Sequence, residues 1–198
     1  EAARQAQDRA LAAAREAFRA VIARAQPAEG AWQREAEAAL AALRRTPGSE
    51  TASTAAREQL ASTYLDAAGR LIDEKRFTAA AQMLDKAEQF TPRSAALQAK
   101  RTQWTQASER NKAERAAEEL AARVDAAKQR FGNEIRAGRF DRARSTLAEL
   151  QKIAPRDDAF VVREGPAMLT DALVASAQAR LKSGELAAAW QVVRSSSA

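Results

Sequence analysis

KRFTAAAQMLDKAEQFTP, residues 75–92, returns at residues 138–155 as GRFDRARSTLAELQKIAP. Phe77, Ala80, Leu84, Phe90 and Pro92 recur 63 residues later as Phe140, Ala143, Leu147, Ile153 and Pro155, and GELAAAWQVVR opens a third copy at Gly184. Apolar residues at three- and four-residue steps, closed by proline, spell a helix with one buried face. A helix of this kind returning along the chain is the mark of a helical repeat.

Composition agrees with that reading. Alanine makes up roughly a quarter of the 198 residues, well above its usual share, and aromatics are only 5%. Such a sequence favours helix over strand, and no alternating β-branched run is present from which to build a sheet. The fold class expected is all-α, built as tandem antiparallel helix hairpins. The absence of Cys and His removes thiolate nucleophiles, disulfides, imidazole bases and the usual soft metal ligands, so no cofactor or metal set is expected.

The first hairpin is expected from a helix over residues 2–26, with Leu11, Ala14, Phe18, Val21 and Ile22 on one face, and a second over 31–45 with Trp32, Ala36, Leu40 and Leu43. A polar linker, PGSETAST, then leads to a helix over 55–74 carrying Leu60, Tyr64, Ala67 and Leu71. Its partner is expected to start at Thr78 as N-cap, with Phe77 in the turn. From Ser94, a good cap, no glycine or proline intervenes until Gly132.

The register of the repeats argues that this long segment is one helix. Pro47 and Pro92 lie 45 residues apart, Pro92 and Pro155 lie 63 apart, and Gly138 and Gly184 lie 46 apart. The 18 extra residues make five turns at 3.6 residues each, so the insertion lengthens the helix without rotating its apolar face. Thr105 to Glu119 carries almost no large apolar residue, which predicts two packed halves linked by one helix. The domains expected are hairpins over 1–93, a linking helix over 94–138 and further hairpins over 139–198.

Beyond it, Asp141 is expected to cap a helix, and Asp157 or Asp158 to start another that Gly165-Pro166 restarts or kinks. A last helix over 185–194 presents Leu186, Ala189, Trp190 and Val193 before a linker-like Ser195–Ala198. The chain starts at Glu1 inside a helical pattern, as a piece cut from a longer protein would.

The second helices of these pairs resemble those of tetratricopeptide repeats, on Phe77, Ala80, Leu84, Ala87 and Pro92 and again on Phe140, Ala143, Leu147, Leu150 and Pro155. The resemblance implies a non-catalytic scaffold that binds a protein or peptide partner, or senses a ligand, through a groove lined by first helices. First-helix residues pointing away from the apolar stripes are Asp73, Lys128, Arg136, Gln178 and Lys182. With Arg139 in the turn they form the set of partner-binding candidates. The Ala- and Arg-rich helix pairs, with turns such as AGRFDRA, also look like those in the extracytoplasmic part of membrane-anchored bacterial serine/threonine kinases. That likeness would imply a periplasmic sensor region of a larger signalling protein.

Two other functions are weighed against the scaffold. With 32 basic and 26 acidic residues the net charge is +6, and Arg136, Arg139, Arg142 and Arg144 form the densest basic run. This suggests a module for nucleic acid or another polyanion, without aromatics interleaved among the basic residues. Catalysis finds less support. The carboxylate pairs Asp73/Glu74, Glu118/Glu119 and Asp157/Asp158 are adjacent in sequence, and on a helix adjacent side chains point about 100° apart. Lys182-Ser183 stands in no motif that would make its serine a nucleophile.

Overall fold

The computed structural model describes residues 1–196. Among them the chain is all-α: α1 (Ala2–Ala23), α2 (Gly30–Arg45), α3 (Glu50–Asp73), α4 (Phe77–Phe90), α5 (Ala95–Arg136), α6 (Phe140–Ile153), α7 (Gly165–Lys182) and α8 (Leu186–Ser196). A π-helical turn, Phe160–Glu164, runs into α7 without a break. The chain divides into two compact units, residues 1–112 and 113–198, with α5 contributing to both.

Two backbone devices set the helix ends. Thr46, Thr91 and Ala154 each precede a proline and each leave the helical conformation, because the proline ring clashes with a helical residue before it. The other device is a left-handed residue after the first helix of a pair. Lys75 (φ 58°), Gly138 (φ 67°) and Gly184 (φ 79°) occupy it. Around Lys75 the bonds are Lys75 N–H to Ile72 O, 2.9 Å, and Arg76 N–H to Leu71 O, 2.8 Å. Gly138 and Arg139 repeat them to Ile135 and Glu134, and Gly184 and Glu185 to Leu181 and Arg180. These are Schellman turns, which satisfy the last carbonyls of one helix and turn the chain at once into the next.

That economy moves several expected starts. α4 begins at Phe77 with Arg76 as its N-cap, so Thr78 is already inside the helix. In the same way α6 begins at Phe140 after Arg139, and Asp141 lies in its first turn, where its charge favours the helix N-terminus. α3 starts at Glu50, five residues before the expected Ala55. Ser53 and Thr54 turn their hydroxyls back onto the Glu50 carbonyl, both at 3.0 Å, and so join the helix instead of breaking it. Ser94 does cap α5, accepting the Leu97 N–H at 3.2 Å. α8 runs to Ser196; Ser197, Ala198 and the side chain of Val193 lie outside the described residues.

In the N-terminal unit, α1 pairs with α2 and α3 with α4, and α2 packs on α3. The core centres on Tyr64, Leu60, Leu84 and Leu97, all with no exposed surface; each of the three leucines contributes about 1.5–3 kcal/mol through burial. Trp32 meets the Tyr64 ring edge-on at 5.8 Å, and Phe90 lies parallel to it at 6.0 Å. Two indoles are satisfied by backbone: the buried Trp32 donates Nε1–H to Val21 O and the half-buried Trp104 donates its own to Phe77 O, each at 2.9 Å. Arg57 of α3 donates to the Phe90 carbonyl at 2.9 Å and so holds the end of α4.

In the C-terminal unit, Phe131 is fully buried with Ala143, Leu147, Leu169 and Leu173. A second cluster joins Val124, Ala127, Leu150 and Val161, and Phe160 packs against both. Within α5, Glu109 to Arg123 is exposed apart from Asn111. The π turn answers the question posed by Gly165-Pro166. Pro166 has no N–H to give, and the wider turn before it lets the helix pass through the proline unbroken.

Candidate partner-binding surface

α7 is apolar on more than one side, and this is the origin of the surface. Leu169, Leu173 and Ala177, at four-residue steps, turn inward and are buried. A second line, Val174 and Leu181 with Thr170 and Gln178, faces a groove of about 430 Å³. Arg144 of α6 and Val192 of α8 also line it. Val174 and Leu181 are exposed there, as are Leu186 and Trp190 on α8. The groove offers an apolar floor with an arginine, an amide and a hydroxyl at its edges, which suits a partner side chain or helix. Among the described residues its lining carries no carboxylate.

The candidates from sequence fall in different places. Asp73, in the N-terminal unit, is the exposed last residue of α3. Of the others, only Gln178 lines the groove, beside Arg144 of the basic run. Lys182 ends α7, exposed, and Arg139 is the exposed N-cap of α6. Arg136 bonds within its own helix, to the Gly132 carbonyl at 3.3 Å and to the Asn133 side chain.

Lys128 is engaged inside the fold. Its Nζ lies 2.8 Å from Asp158 Oδ2 and 5.4 Å from the centre of the Phe160 ring. Asp158 in turn accepts the Phe160 and Val161 backbone N–H groups at 3.0 and 3.3 Å, capping the π turn. The Lys128 hydrogen bond, with help from those N–H groups and the lysine charge, holds the Asp158 carboxyl below its ordinary 3.8 against the opposing effect of desolvation. This carboxylate is a structural cap, while its neighbour Asp157 is exposed.

The basic run is also divided by helix geometry. Arg142 and Arg144 are two residues apart on α6, hence about 200° apart around it. Arg142 is exposed and Arg144 is half-buried at the groove.

Sequence reasoning missed Val174, and it placed Leu186 and Trp190 on an apolar face without showing that face uncovered. The signal available was the excess of apolar residues around α7, more than one stripe can bury. No helix among the described residues is long and apolar enough to cross a membrane. Comparison with family models, with curated proteins and with solved structures finds no match for this chain.

Proposed function

We propose that this chain is a non-catalytic protein-interaction module, a tetratricopeptide-like stack of helix pairs that carries its partner on α7 and α8. One observation supports the reading above the rest. Leu120 apart, the exposed large hydrophobic side chains among the described residues all lie on the π turn, α7 and α8. Exposed apolar side chains concentrated on three successive elements, with Val174 and Leu181 lining an apolar groove, favour a docking surface over scattered chance exposure. The run Arg136, Arg139, Arg142 and Arg144 lends less to a polyanion site, since Arg136 bonds its own helix and Arg142 and Arg144 diverge.

The test is a paired substitution in the groove, Val174→Glu with Leu181→Glu. Both side chains are exposed, so helix content by circular dichroism should be retained. A partner protein recovered with the wild type in stoichiometric amount should be lost from the variant. Equal recovery by both would defeat the proposal, and binding to duplex or single strands that weakens steeply with salt would replace it with the polyanion reading. A narrower form makes the chain the periplasmic sensor part of a membrane-anchored bacterial serine/threonine kinase. It draws support from the Ala/Arg-rich pairs and the AGRFDRA turn, and the reading frame around this chain tests it: a membrane span and kinase motifs are expected there.

A further inference from the structure

The three Schellman turns put three helices in one register. Ala80, Ala143 and Ala189, each five residues after the left-handed position, are all buried. In that register Phe77, Phe140 and Leu186 are equivalent, as are Ala81, Arg144 and Trp190, and also Asp85, Ala148 and Arg194.

What covers the position differs. On α4 the cover is the next helix: Trp104 of α5 donates to the Phe77 carbonyl at 2.9 Å, and Arg101 bonds Asp85 at 3.0 Å. On α6 the next helix again contributes, with Phe140 packed in one cluster with Leu169 and Leu173 of α7. Phe77 and Phe140 are accordingly half-buried. On α8, Leu186 is 70% exposed and Trp190 66%.

We infer that the outer face of α8 receives one amphipathic helix of a protein partner, seated on Leu186 and Trp190 as α5 is seated on α4, with an acidic side chain facing Arg194. The inference rests on the partner-binding reading above and names the partner's chemistry. A helix is the occupant because the same face, one and two repeats earlier, is met by a helix. Its charge follows from the register. α4 shows Asp85 to a cation of its cover, Arg101, whereas α8 shows Arg194 at that position, so attraction requires the opposite sign. The same reversal disfavours a second copy docking through its own α5, which would set Arg101 against Arg194. Trp190, where α4 has Ala81, adds a large aromatic anchor of the kind that dominates helix-docking energetics.

The register also supplies the experiment. Residue 198 is equivalent to residue 89, so a copy of residues 90–107 appended after Ala198 continues the repeat and presents a covering helix at high effective concentration. Two forms are made, one unchanged and one with Arg101→Glu in the appended copy. Amide hydrogen exchange over residues 186–194 should slow by at least about tenfold with the Glu form and by less with the unchanged form. The gain should vanish when Leu186→Asp and Trp190→Asp are made in the host. Exchange that ignores the extension, or slowing that survives the two Asp substitutions, overturns the inference. So does a dimer of the unextended chain, by sedimentation, that is abolished by Trp190→Asp. If the extension fails while Val174→Glu/Leu181→Glu still loses the partner, the interaction reading stands and this inference falls.

Discussion

Lys75 holds the left-handed conformation at the position that Gly138 holds 63 residues later, and both close the same helix-ending turn. A lysine there costs about 1 kcal/mol relative to glycine, because its Cβ crowds the following carbonyl. Lys75→Gly should therefore raise stability by about 0.5–1 kcal/mol, less the entropy that glycine loses on folding. Gly138→Ala should lower it by about 1 kcal/mol. Urea unfolding of both variants checks the pair; a Lys75→Gly protein less stable than wild type would show that the lysine's own contacts outweigh the strain.

Tyr64 is the only tyrosine in the chain, and its hydroxyl is buried without a hydrogen-bond partner among the described residues. Burial, and secondarily the charge of Glu37, push its pKa up to about 12 from 10.0. The folded state thus keeps a proton that the unfolded chain sheds, and stability falls as pH rises from 10.0 through about 12, with no effect below. Tyrosinate absorbance, reporting this residue alone, should titrate near 12 in the folded protein and near 10.0 in denaturant. Tyr64→Phe should be neutral or stabilising by up to about 1 kcal/mol, since it removes an unsatisfied buried group.

The Lys128–Asp158 pair predicts an acid dependence of the opposite sign. The folded-state pKa of Asp158 lies below 3.8, so its contribution is complete above that value and is lost as pH falls through the lower folded-state one. Asp158→Asn should flatten this acid loss, and the π turn at Phe160 and Val161 should exchange its amides faster. An unchanged acid unfolding curve would remove Asp158 from the account of the cap.

Two buried glycines should respond in opposite directions to alanine. At Gly69 an added Cβ would lie 3.0 Å from Lys100 Nζ, the far end of a flexible side chain that can swing aside. Gly69→Ala should stabilise α3 by up to about 1 kcal/mol through helix propensity. At Gly165 the Cβ would lie 2.9 Å from Leu147 Cδ1 and 3.0 Å from the Phe160 carbonyl oxygen, where α7 crosses α6 and the π turn is tight. Gly165→Ala should cost about 1–3 kcal/mol as overpacking. Thermal melts of the two variants moving in the same direction would contradict this contrast.

The sequence by itself determined the helices, their order and the repeat. These depend on local chemistry that a string of residues carries in full: proline ends a helix at the residue before it, and apolar spacing marks the inward face. Leu84, Leu147 and Leu150 were legible as core for that reason, and they are buried. Even so, Thr78 and Asp141 were each expected as caps two residues after the N-caps observed, Arg76 and Arg139, because the left-handed turn starts the next helix without a side-chain cap.

Tertiary structure alone decided which apolar faces are covered and which charges are already engaged. Periodicity tells which residues share a side of a helix, but not whether another helix lies against that side. Leu169 and Val174 of α7 look alike in sequence, and both line the groove, yet Leu169 is buried while Val174 is half exposed. Lys128 and Gln178 looked equally available. Only the packing of the π turn against α5 gave Lys128 a half-buried carboxylate 30 residues away and left Gln178 at the groove.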